Sequence, residues 1–345
     1  MRRGRNVPIP VIRVPFRTDS RMPTHFGLGT LRKQMNPRGS ASRRRRVRRV
    51  LFRAIRRSFP RLSRLSPSLS ARLAEILFRV PPPRRARLKR EQRALDDGDF
   101  SRTPFLTGTL PTWRWGKGPA VLLVHGWGGH AGRLTLFVRA LTRAGFSVVA
   151  FDGPGHGIAR GRVSSLPEFV AAIRVMEAAH GPFHAVIGHS LGAAAGALAV
   201  RDGLGAQRLV LLAPPSDLER YTGRFARIMR IPPTVRDSMK ERLEKRFQVR
   251  WAELRVAGSP ASADVSLLIF HDRRDVSVPM SDGVEIVHSW PNARLVRTRG
   301  LGHHRILRDA RVISRTVAFL AGRPARKLDT TRSPRQPSLA PLPAS

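Results

Sequence analysis

HAVIGHSLGAAAGALAV, residues 184–200, decides the fold. A short apolar run ends at Gly188, a serine stands at 190, and Gly192 opens an alanine-rich stretch. The run reads as a buried strand and the alanine-rich stretch as a helix, so Ser190 falls on the turn between them. Such a turn is so tight that side chains at 188 and 192 would collide with the neighbouring strand or helix, and both positions are glycine. The serine itself is held in a strained conformation, with the helix N-terminus beneath it favouring developing negative charge. G-x-S-x-G in this context presents Ser190 as a candidate nucleophile.

The same alternation recurs on both sides of this stretch. VLLVHG (121–126), SVVAFDG (147–153), RLVLLAP (208–214), DVSLLIFHD (264–272) and ARLVRTRG (293–300) are further buried-strand runs. Amphipathic stretches near 132–144, 166–179, 191–203, 280–289 and 304–321 lie between or after them. Strands of this type alternating with helices predict an α/β fold, a mostly parallel central sheet with helices on both faces. TLPTWRWG (109–116) is expected as a preceding edge strand. About fifty residues, 215–263, break the rhythm and read as helices; an insertion of this length predicts a helical cap over the carboxyl ends of the strands.

Composition bounds the rest. The 345 residues contain no cysteine, which removes disulfides, thiolate metal sites and thiol nucleophiles and fits a reducing, cytoplasmic compartment. No apolar run is long enough to span a bilayer, and the Arg-rich start lacks the apolar segment of a secretion signal. Net charge is +41, and 28 of the 64 Lys and Arg residues fall in the first hundred positions. Residues 1–42 are expected to be a disordered basic arm, with Met35 a second candidate start of translation. Residues 43–104 are expected to form a basic helical extension. Within it, SRRRRVRRVLFRAIRR (42–57) places Val47, Val50, Leu51, Ala54 and Ile55 at helical spacing, suited to peripheral contact with an anionic membrane or to docking on the protein's own core. A short helix near 68–79 is stopped by PPP at 81–83. The catalytic domain is expected over 105–321 and a disordered tail over 322–345. No motif in the arm suggests specific nucleic-acid binding, and no histidine spacing suggests a metal site; no cofactor is expected.

A serine nucleophile needs backbone donors for an oxyanion and a base for its proton. HGWGG (125–129) closes the strand VLLV in a glycine-loosened loop, so the N–H groups of Trp127 and Leu191 are the candidate oxyanion donors. The base is expected to be a histidine oriented by a carboxylate, and Asp272, Asp275 and Asp217 all compete for that second role.

The motifs HGWGGH, FDGPGHG (151–157), GHSLGAA, HDRRDVSVP (271–279) and GLGHHRIL (300–307), in this order, resemble the α/β-hydrolase superfamily, especially bacterial esterase-like members with a helical cap. The resemblance covers residues 109–321. It implies a Ser, then Asp, then His triad, selects Asp275 through the pattern D-x-x-V-P, and selects His303 through G-x-G-H. Asp272 is then expected to stabilise its turn, Asp152 and His156 to shape the pocket wall, and His304 to project elsewhere. The implied activity is cleavage of a carboxylic ester or thioester through an acyl-enzyme. The same fold also serves acyltransferases, and a catalytically inactive scaffold or membrane-binding protein is the alternative. The implied partner is a small-molecule acyl ester. Tyr221, Phe225 and Met229 in the cap are candidate pocket residues, although packing of the cap is a competing role.

Overall fold

The computed structural model describes residues 37–83, 86–106, 108–257 and 265–322. The expected disordered arm and tail therefore lie largely outside the described residues. The described part divides into two compact units, residues 81–217 with 254–322, and residues 37–80 with 218–253.

The first unit is built on one eight-stranded sheet: β1 (Asp99–Phe105), β2 (Gly108–Trp115), β3 (Ala120–Val124), β4 (Ser147–Phe151), β5 (Phe183–His189), β6 (Arg208–Leu212), β7 (Ser266–Asp272) and β8 (Ala293–Thr298). Their spatial order is β1-β2-β4-β3-β5-β6-β7-β8. β1 with β2 and β2 with β4 are antiparallel, and every later pair is parallel. Strands β3 to β7 are buried along nearly their whole length, as their continuous apolar runs require of a sheet covered on both faces, whereas β8 at the edge buries only Leu295 and Val296.

Two sequence expectations need correction here. TLPTWRWG is not the edge strand: β1 pairs along it from Asp99 opposite Arg114 to Phe105 opposite Gly108. The segment DFSRTPF exposes most of its side chains, so main-chain pairing rather than an apolar pattern carries this strand. The helical extension also ends earlier than residue 104. The helix α3 (Lys89–Asp96) and β1 belong to the sheet-bearing unit. Leu95 of α3 is fully buried, and Trp115 of β2 donates its indole N–H to Ala94 O at 3.1 Å.

Helices α4 (Thr135–Arg143), α5 (Leu166–His180), α6 (Leu191–Arg201) and α9 (Met280–Ser289) connect the strands. The expected closing helix 304–321 is instead α10 (Gly302–Arg305), a 3-10 turn and α11 (Ala310–Leu320). Asp309 restarts the helix, its carboxylate accepting the N–H groups of Arg311 and Val312, each at 3.0 Å.

The second unit is helical: α1 (Pro37–Leu65), α2 (Pro67–Phe78), α7 (Glu219–Met229) and α8 (Pro233–Phe247). α1 includes residues 37–42, assigned above to the arm, because Pro37 stands at its first position, where a missing N–H costs nothing. It also runs past residue 57, where Phe59 and Ser63 become buried and packing sustains the helix. α2 and α8 are joined by Glu75, whose buried carboxylate takes Arg242 at 2.8 Å and Arg246 at 2.5 Å. Phe225 of α7 meets Phe78 of α2 edge-on at 5.3 Å.

Candidate active site

Sheet order brings the candidate residues to one edge. β3 has β4 on one side and β5 on the other, the point where connections diverge and ligands bind in open α/β sheets. Val124 at the end of β3 pairs with Gly188 near the end of β5, so the HGWGG loop stands beside the GHSLG turn. The loops after β7 and β8 carry Asp275 and His303.

Ser190 lies between β5 and α6 with φ 53° and ψ −120°, a region that L residues rarely occupy. Its N–H donates to Leu212 O at 2.9 Å, tying the turn to β6. A Cβ at Gly188 would stand 2.5 Å from Ala193 Cα, and one at Gly192 2.4 Å from His125 O. Both glycines therefore answer a contact and not only a preference. Leu191 is the first residue of α6 and Trp127 sits half-buried in the β3 loop. Among the described hydrogen bonds, none uses the N–H of either residue.

His303 and Asp275 are brought together: Nδ1 lies 2.7 Å from the carboxylate Oδ2. The other oxygen, Oδ1, accepts the N–H groups of Ser277 at 2.8 Å and Val278 at 3.0 Å. Burial pushes this carboxyl up, but the His303 bond and the backbone donors outweigh it and hold Asp275 below the usual carboxylate range. Among the described residues, no hydrogen bond joins the Ser190 hydroxyl to His303; such contacts commonly tighten only when substrate binds. His189, next to Ser190, links the two loops: its Nε2–H donates to His303 O at 2.9 Å and the rings lie 4.8 Å apart.

Asp272 anchors the loop that carries the histidine. It accepts from Arg274 N–H at 2.9 Å, the Thr298 hydroxyl at 2.9 Å and Leu301 N–H at 2.8 Å. Asp217 lies 3.7 Å from the Arg255 guanidinium. His304 is exposed but does not turn away as expected: its ring meets that of His303 edge-on at 5.2 Å, because both belong to the single turn of α10.

FDGPGHG forms a buried wall. Asp152 accepts from Ala131 N–H at 2.8 Å and Ile158 N–H at 2.8 Å, and pairs with Arg87 at 2.6 Å. The His156 ring lies 5.1 Å from Trp127. Arg87 was not singled out from the sequence, where it is one arginine among many; its distinguishing contact is 65 positions away. Of the cap candidates, Met229 is buried and Phe225 packs on Phe78 within the helical unit.

His125 supports the β3 loop. Gly153 N–H donates to its Nε2 at 2.9 Å, which leaves the proton on Nδ1 to donate to Gly126 O at 2.8 Å. Burial lowers its pKa to about 4, opposed by the Gly126 carbonyl and reinforced by His130. The unfolded chain takes up this proton near pH 6.5 and the folded chain only near 4, so the unfolded state binds more protons between those values. The resulting stability is complete above pH 6.5 and is lost as pH falls to 4, about 3 kcal/mol for this residue alone. Urea unfolding at pH 7 and pH 4.5 checks this. His125→Gln is expected to lose less stability between the two pH values than the wild type, and an equal loss would remove His125 from the account.

The comparisons with known proteins agree with this architecture. Residues 117–263 match the family model described as serine aminopeptidase, S33, a span that includes Trp127 and Ser190 and stops before Asp275. An esterase of Pyrococcus furiosus aligns over 71% of this chain and 97% of its own, at TM-score 0.52 and 20% identity. The chain has the α/β-hydrolase fold. A serine hydrolase of Cycloclasticus zankles shares the fold with this chain at TM-score 0.50 and 16% identity, over 65% of this chain and 98% of that one. The pimeloyl-[acyl-carrier protein] methyl ester esterase of Methylococcus capsulatus is 46% identical over 78 residues, 23% of this chain. That alignment spans 30% of the curated relative's length.

Proposed function

We propose that this α/β hydrolase is a serine esterase that cleaves a carboxylic ester through an acyl-enzyme. The observation that carries the reading is the 2.7 Å bond between His303 Nδ1 and Asp275, in the loops next to the strained turn that holds Ser190. The Ser190 hydroxyl attacks the ester carbonyl carbon while His303 Nε2 takes its proton. Asp275 keeps the proton of the neutral imidazole on Nδ1, so that Nε2 is free to act as base, and stabilises the imidazolium that forms. The N–H groups of Trp127 and Leu191 hold the oxyanion. Collapse of the tetrahedral intermediate expels the alkoxide, which leaves as an alcohol with the proton from His303. Water, deprotonated by the same histidine, then cleaves the acyl-enzyme. Esters are favoured as substrates because the relatives from Pyrococcus furiosus and Methylococcus capsulatus are named as esterases.

Labelling by a fluorophosphonate probe tests the nucleophile. Wild type is expected to label and Ser190→Ala to stay unlabelled; equal labelling of the two would reject Ser190. A series of p-nitrophenyl esters of increasing chain length then sizes the acyl pocket.

A further inference from the structure

The helix α1 carries twelve arginines and no acidic residue over Pro37–Leu65. Its packed side is marked by Phe59, fully buried, and Ser63, whose hydroxyl lies 2.9 Å from that of Ser70 on α2. A different side is apolar and uncovered: Val47 is 59% exposed, Val50 60% and Leu51 58%. At about 100° per residue, Val47, Val50, Leu51 and Ala54 share an arc of roughly a quarter turn. Phe59 and Ser63 stand on another part of the circumference. Arg46, Arg53, Arg57 and Arg64, all exposed, run as a row along one border of the apolar stripe.

We propose that this face of α1 docks on an anionic phospholipid bilayer, lying in the plane of the headgroups. The apolar stripe enters the acyl boundary, and the bordering arginines keep their guanidinium groups at the phosphate level while their methylene stems follow the stripe inward. An anionic surface attracts the arginine row, and the aliphatic residues give the contact a part that salt does not screen. Nucleic acid accounts for the arginines but leaves the aliphatic stripe unused, since Val47, Val50 and Leu51 offer no ring on which a base stacks. A second copy of the chain accounts for the stripe but sets the same arginine row against itself.

The full chain tests this by co-sedimentation with vesicles of phosphatidylcholine alone and of phosphatidylcholine with about a third phosphatidylglycerol. Binding to the anionic vesicles is expected to be at least about tenfold stronger. The variant Val47→Ala, Val50→Ala, Leu51→Ala keeps good helix formers on an exposed face and removes no core contact. It is expected to lose about tenfold in vesicle binding while labelling by the fluorophosphonate probe is unchanged. Arg46→Gln, Arg53→Gln, Arg57→Gln is expected to abolish the preference for anionic lipid. Equal binding to both vesicle types by the wild type, or full binding by the alanine variant, would overturn the proposal. So would a dimer in vesicle-free solution that the alanine variant dissociates, or duplex DNA binding that outcompetes vesicles and ignores the alanine substitutions.

Discussion

His303→Ala is expected to lower ester turnover by about ten-thousandfold or more, whereas His304→Ala keeps most of it. The two residues are identical in type, adjacent in sequence and in ring contact, so neither type nor proximity separates them. Their partners do. His303 Nδ1 is engaged by Asp275 at 2.7 Å, and that carboxylate is held by two backbone N–H groups. An imidazole fixed in this way presents Nε2 as the free base and has a negative charge behind it when it becomes cationic. His304 is exposed on the neighbouring position of the same turn. Steady-state rates on a p-nitrophenyl ester measure the difference. A large loss in His304→Ala with near-normal rates in His303→Ala would reverse the assignment and with it the role of Asp275.

The largest effect on stability is expected from Gly192→Ala. A methyl at this position would stand 2.4 Å from His125 O and 2.5 Å from Val124 O. Neither oxygen is a flexible end: Val124 is the last residue of β3, and His125 is held by Gly153 and Gly126. Relief therefore requires α6 to move away from the sheet, at a cost of about 3 kcal/mol or more. For a chain of this size the melting temperature should fall by roughly 4 °C or more. The same displacement shifts the loop bearing Trp127 against Ser190, so probe labelling should slow as well. Gly223→Ala is the control, because a Cβ there meets nothing within 4 Å and the residue lies inside α7. It should leave stability unchanged or raise it by about 0.5 to 1 kcal/mol. A drop in melting temperature of equal size in both variants would show that contact at Gly192 is not the cause.

The legible parts of the molecule are those in which one local pattern answers one physical demand. The buried parallel strands announce themselves as apolar runs because both faces of the sheet are covered, and the glycines around Ser190 announce a turn that admits no side chain. Where the demand is met at long range, the pattern is silent. β1 is carried by backbone pairing to β2 and shows no alternation. Arg87 is indistinguishable from its neighbours until it meets Asp152. The extension of α1 to Leu65 follows from packing at Phe59 and Ser63, whereas the apolar periodicity marks the helix only to residue 57. The single turn of α10 was hidden for another reason: Asp309 restarts the helix, and a continuous apolar spacing runs through the break.

The helical unit is assembled from two stretches of chain, residues 37–80 and 218–253, with the larger part of the sheet between them. During synthesis the first stretch emerges while its partner is still about 140 residues from being made. At ~5–20 residues per second that interval is on the order of ten seconds. Throughout it Glu75 lacks Arg242 and Arg246, and Phe78 lacks Phe225. The newborn chain therefore presents a strongly cationic, partly apolar segment before any of the sheet-bearing unit can be complete, and its closure must wait for β6 to leave the ribosome.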